Sequence, residues 1–134
     1  LVKRDNAMIK QYLTSLVIFT VIDGLWLGLV APKFYQSHIG HLMKPQADLV
    51  AASMFYLFYL IGLSVFVINP HQASSLLKVG AYGALFGCVT YATFDLTSVA
   101  VFKGFPYKVA IVDMLWGSIL CATISVLTVW FTRT

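Results

Sequence analysis

Tyr107–Phe131 reads YKVAIVDMLWGSILCATISVLTVWF. Beyond Lys108, the one charged residue in it is Asp113. A helix needs roughly 20 mostly apolar residues to cross a bilayer, and this run supplies them before Arg133 marks its exit. Backbone groups in lipid must be satisfied internally, which leaves a helix or a closed barrel. A barrel strand alternates lipid-facing and inward residues over about 10 positions, and no such alternation is present.

Three more runs follow the same logic towards the N-terminus. Leu76–Phe102 is closed by Lys103-Gly104-Phe105-Pro106, and Ala47–Ile68 by Asn69-Pro70. Tyr12–Ala31 is closed by Pro32, which lacks a donor, and Lys33, which prefers the interface. The fold class is all-α: a polytopic membrane protein, a four-transmembrane-helix bundle. Short connections after the second and third spans make spans 2, 3 and 4 antiparallel neighbours. The longer Lys33–Gln46 connection carries Phe34, Tyr35, His38, Ile39, Leu42 and Met43 at helical spacing. It reads as a short interfacial helix between spans 1 and 2. That helix either fills the gap or forms a lid with His38 and His41 facing inward.

Composition agrees. The chain has 134 residues, 60% hydrophobic and 10% charged, with a mean hydropathy of +0.85. Soluble domains are about 45–50% apolar and about 25% charged, so a soluble fold and a disordered chain are both excluded. Two cysteines exclude a disulfide scaffold. Cys88 and Cys121 read as small packing residues at similar depth. The net charge of +4 comes from Lys and Arg in termini and loops, as on membrane flanks. The expected partner is the lipid bilayer, and no nucleic acid. The basic residues divide between the two ends of the bundle, so the positive-inside rule does not set an orientation. Leu1–Ala7 (LVKRDNA) is polar and precedes Met8. It reads as an extension outside a single 8–134 transmembrane domain.

The acids carry the functional signal. All five are Asp, and Asp23, Asp95 and Asp113 lie inside spans, where a central charge costs about 2.5–3.5 kcal/mol on insertion scales. Counted from the ends of their spans, they share a layer roughly 9–12 Å below the end that holds the first and third connections, here called side B. Asp23-Gly24-Leu25-Trp26 and Asp113-Met114-Leu115-Trp116 repeat Asp-x-Leu-Trp, with each Trp one turn from its Asp. Tyr91 at i−4 and Ser98 at i+3 flank Asp95 in the same way. Indole, phenol and hydroxyl groups all donate to carboxylates. Two readings are open: polar fasteners that join helices, or a binding site built on Asp23, Asp95, Asp113, Trp26, Trp116, Tyr91 and Ser98. Three close carboxylates do not all ionise cheaply without a compensating cation.

His38, His41, Asp48 and Lys108 sit near side B as headgroup or lid residues. They match no dense metal-ligand motif, and no metal is expected. Gly24-x-x-x-Gly28 and Gly83-x-x-x-Gly87 allow close helix approach. Packing within one protomer is favoured over a homodimer seam.

The segments Asp23–Gly28, Tyr91–Thr97, Lys103–Pro106 and Val112–Gly117 together resemble an uncharacterised bacterial family of predicted inner-membrane proteins, a domain of unknown function. The resemblance runs from Met8 to the end. It implies a four-helix architecture and a multi-pass place in a bacterial inner membrane. It implies no activity and no cofactor. The family pattern favours Asn where this chain has Ser98. Three functions stay open: binding or transport of a proton, cation or amphipathic solute at the aspartates; a membrane-embedded enzyme acting on a lipid or isoprenoid through Asp95 and Asp113; and a non-catalytic accessory or assembly subunit. The first is preferred, as a homodimer where it transports.

Overall fold

The computed structural model describes residues 2–133, and its regular structure there is all helical. Helix α1 (Val2–Leu25) passes through a wide π turn (Trp26–Val30) into α2 (Ala31–Ile39), and a 3-10 turn, Gly40–Leu42, follows. Helix α3 (Leu49–Leu63) runs on through a π turn (Ser64–Ile68) and a 3-10 turn (Asn69–His71). Helices α4 (Leu76–Val101) and α5 (Tyr107–Thr132) complete the chain. Four continuous helical stretches are long and apolar enough to cross a membrane.

The first of them corrects a boundary. Pro32 reads in sequence as a stop, yet the helix runs unbroken over Asn6–Leu42. A proline ring clashes with the carbonyl four residues back and offers no N–H. Here the turn before it is widened, with the Ala31 N–H bonding the Trp26 carbonyl. Pro32 then falls in the first turn of α2, where its lost donor is harmless. The interfacial segment is therefore helical, but as the continuation of span 1. Its 37 residues span about 55 Å at the helical rise, against ~30 Å of hydrocarbon. The stretch is therefore longer than a crossing of the hydrocarbon core requires.

Local chemistry sets the other ends. The Asp48 carboxylate accepts from the N–H groups of Val50 (3.0 Å) and Ala51 (3.1 Å) and caps α3. Ser75 caps α4 by accepting from Lys78 N–H at 3.2 Å. Between α4 and α5, Gly104 takes φ 77°, a left-handed conformation that glycine adopts without a Cβ penalty.

Helices α4 and α5 form the tightest pair. Residues four apart lie on one helix face, and the two facing rows are Gly83, Gly87, Tyr91, Asp95 and Asp113, Gly117, Cys121, Ser125. A Cβ on Gly83 would stand 2.7 Å from the Cys121 carbonyl oxygen. One on Gly87 would strike the Gly117 carbonyl, and one on Gly117 the Tyr91 ring. Gly83 and Gly87 therefore pack within the protomer. Gly24 and Gly28 do not, since a Cβ on either meets nothing within 4 Å. That corrects the expectation for the first motif.

Helix α1 packs on α5, and α3 closes the bundle unevenly. Its Ser64–Ile68 turn packs on α1, α4 and α5, whereas Leu49–Leu63 packs on α1. The apolar core gathers Phe19, Leu60, Leu63, Val67, Ile68, Val79, Leu120, Cys121 and Ile124, all buried. At the end of the bundle opposite side B, here called side A, Arg133 Nε donates to the Gln72 carbonyl (3.0 Å) and Gln72 Nε2 to Thr132 Oγ1 (3.0 Å), tying α5 to the α3–α4 turn.

The seam makes a contrast measurable. Gly87→Ala should destabilise the protein by about 1–3 kcal/mol, the usual range for overpacking, while Gly24→Ala should be neutral. Melting curves in detergent, followed by loss of the monodisperse peak, check both. Equal melting temperatures for the two variants would disprove the seam.

Candidate functional site

The two rows of the α4–α5 seam end, at side B, in Asp95 and Asp113. Two turns up α4 from Gly87 lies Asp95, and one turn up α5 from Gly117 lies Asp113. Asp23 joins them from α1, and all three line one cavity of about 530 Å³. Each is buried, with Asp23 6%, Asp95 1% and Asp113 7% exposed. Pockets that hold small ligands are typically ~300–1,000 Å³.

The cavity lies between α3 on one side and α1, α5 and α4 on the other. Its aromatic walls are Trp26, Tyr35, Phe55, Tyr56, Tyr59, Tyr91, Phe94 and Trp116. Its floor towards side A is the apolar core, beginning with Phe19, whose ring meets Tyr56 edge-on at 4.6 Å. None of its lining residues is Lys, Arg or His.

The partners of the aspartates are not those next to them in sequence. Tyr56 Oη on α3 donates to Asp23 Oδ2 at 2.5 Å. Trp116 Nε1 on α5 points to Asp23 Oδ1 at 3.4 Å, not to Asp113 on its own helix. Trp26 and Trp116 stack, with ring centroids 4.4 Å apart and planes 11° from parallel. The two Asp-x-Leu-Trp segments therefore interlock across the α1–α5 interface. Asp113 accepts from Tyr35 Oη, which reaches over from α2. Tyr59 Oη bonds Thr90 Oγ1 at 2.7 Å and Cys121 Sγ at 3.0 Å.

Asp95 is different. Its Oδ1 is buried without any partner. The expected donors on its own helix do not serve it, and Ser98, though buried, is not among the cavity residues. Of the sequence-derived set, Asp23, Asp95, Asp113, Trp26, Trp116 and Tyr91 come together, and Ser98 does not.

The side B residues scatter. His38 packs on Phe34 at 4.6 Å and its Nδ1 pairs with Ser37 Oγ and the Phe34 carbonyl, both at 2.8 Å. His41 is exposed and close to Gly104. Asp48 is occupied in capping α3, and Lys108 is exposed and outside the cavity. Among the described residues no three His, Cys, Asp or Glu groups are placed to hold a metal. Tyr35, Tyr56, Tyr59 and Thr90 are cavity residues that the sequence reading missed. Tyr56 and Tyr59 share a face of α3 at i, i+3 spacing, a signal that was present but looks the same as core packing.

Fold and cavity together define the class: a four-span helical membrane protein with a buried carboxylate cluster. The chain belongs to the family described as "Predicted membrane protein (DUF2177)", whose model matches residues 8–130. No curated protein and no solved structure matches it.

Removing a donor and removing the unpartnered acceptor should differ. Tyr56→Phe and Tyr35→Phe each strip a phenol from a buried carboxyl group and should destabilise by about 0.6–2 kcal/mol. Asp95→Asn takes no partner from Oδ1 and should leave the melting temperature unchanged or higher. A large loss of stability in Asp95→Asn would mark Asp95 as a packing fastener.

Proposed function

We propose that the protein binds an amphipathic organic cation in the cavity, with the carboxyl groups of Asp95, Asp113 and Asp23 facing its charged head. The observation that carries this reading is the lining of the cavity, which has three acids, Asp23, Asp95 and Asp113, and no base. Two further features support a cation. Faces of Trp and Tyr attract cations when desolvated, by about 2 kcal/mol, and Trp26, Trp116, Tyr56, Tyr59 and Tyr91 form the walls. Three carboxyl groups lining one cavity do not all ionise cheaply, and a bound cation relieves their repulsion.

The apolar core beneath the cavity favours a site reached from side B over an open channel. A bacterial inner membrane is the location that goes with this reading, by resemblance. A second reading, acid–base chemistry on a lipid, is favoured by the closeness of Asp95 and Asp113. Chemical conversion of a bound lipid by the wild type, but not by Asp95→Asn, would move the balance to it.

The test uses the protein in lipid nanodiscs with Trp130→Phe, so that emission comes from Trp26 and Trp116. Dodecylamine should shift that emission saturably, and dodecanoic acid should not. Asp95→Asn and Asp23→Asn should each weaken the amine by about tenfold, equal to ~1.4 kcal/mol. Equal binding of acid and amine would overturn the proposal.

A further inference from the structure

Helices α3 and α4 part company towards side B. Their facing side chains meet where Tyr59 Oη bonds Thr90 Oγ1 at 2.7 Å and its ring contacts Tyr91 at 6.3 Å. One to two turns further on, the cavity is bordered by Ala52 and Phe55 of α3 and by Phe94 and Asp95 of α4. Phe55 is 47% exposed and Phe94 62% exposed, although both line the cavity. A side chain that borders a cavity and also faces outward marks the rim of an opening. On the opposite flank α3 packs on α1 and Tyr56 bonds Asp23, which leaves only Leu27 both outward-facing and bordering the cavity on that side.

The opening faces lipid, not water. Phe94 lies seven residues before the end of α4, about 10 Å inside the span. Ala52 lies three residues into α3, about 4.5 Å inside. The exposed neighbours of the rim include the apolar Met54, Phe58 and Val101 beside Ser53, Thr93 and Thr97, and both threonine hydroxyls bond carbonyls of their own helix. A polar molecule dissolved in water gains nothing at such a rim, whereas an acyl or alkyl chain already in the leaflet lies alongside it. Directly behind the rim stands Asp95. The arrangement therefore has an apolar threshold outside and an acidic, aromatic chamber inside. A volume of about 530 Å³ accommodates a head and a short length of chain, and the rest of a long tail would project through the gap.

We infer that the ligand is a long-chain amine that reaches the cavity sideways from the side B leaflet, between α3 and α4. Its ammonium head sits on Asp95 and its tail stays in the bilayer. This rests on the cation-binding reading above and adds to it the source and the tail. Ala52 is the gatekeeping position, since a small side chain there leaves the passage wide.

The experiment compares two amines with the same head, hexadecylamine carried in the nanodisc lipid and ethylamine added in buffer. Emission of Trp26 and Trp116 is followed in the Trp130→Phe protein, with and without Ala52→Phe. The expected result is that Ala52→Phe weakens hexadecylamine about tenfold more than it weakens ethylamine. Equal hexadecylamine binding by both proteins would overturn the sideways route and leave the cation site standing. No response to either amine in either protein would overturn the cation site and the route with it. Should Ala52→Phe lose both amines, the smaller Ala52→Leu replaces it and is judged by the same ratio.

Discussion

The close approach of α4 and α5 is the constraint on which the rest of this structure hangs. Lipid provides little hydrophobic drive between helices, so contact relies on packing at short range. Gly83, Gly87 and Gly117 remove the Cβ atoms that would otherwise hold the two backbones apart. Helical geometry then leaves no choice for the next turns. Tyr91 lies over Gly117, where a side chain on the glycine would occupy its ring position. One turn further, Asp95 and Asp113 come to line one cavity. A small-residue seam near the middle of the membrane thus sets the position of a carboxyl pair nearer its surface.

Holding acids at that depth requires donors, and the protein draws them from other helices. Tyr56 on α3 and Trp116 on α5 serve Asp23, and Tyr35 on α2 serves Asp113. These bonds link α1 to α3 and α5, and α2 to α5, so the same contacts that satisfy the acids also lock the upper bundle. The fastener reading and the site reading are therefore not exclusive. Asp23 and Asp113 do fasten helices. Asp95 lines the cavity without a hydrogen bond of that kind to another helix among the described residues.

Much of this was legible before any coordinates. The length of apolar runs and their breaks located three of the four spans to within a few residues, because insertion in a bilayer depends on local composition. The shared depth of Asp23, Asp95 and Asp113 followed from the helical rise alone. Three things were not legible. Pro32 looked like a terminus, since the wide turn that absorbs it is a backbone adjustment no side chain announces. Ser98 looked like a partner of Asp95 by spacing, but spacing does not say which neighbours a buried carboxyl finally meets. Gly24 and Gly28 share the spacing of Gly83 and Gly87, and only the packing of neighbouring helices separates the pair that is used from the pair that is not.

The linear order of residues is enough to specify a four-span membrane protein with three acids in one layer. Periodicity, hydropathy and rise per residue are local properties, and a chain carries them in linear order. Only the tertiary structure decided that the acids face a common chamber, that Trp116 turns to the aspartate of another helix, and that α3 stands away from α4 at side B. Those outcomes depend on which faces of distant segments meet. In lipid, that choice is made by a few close contacts and hydrogen bonds between helices, not by the apolar pattern that all four share.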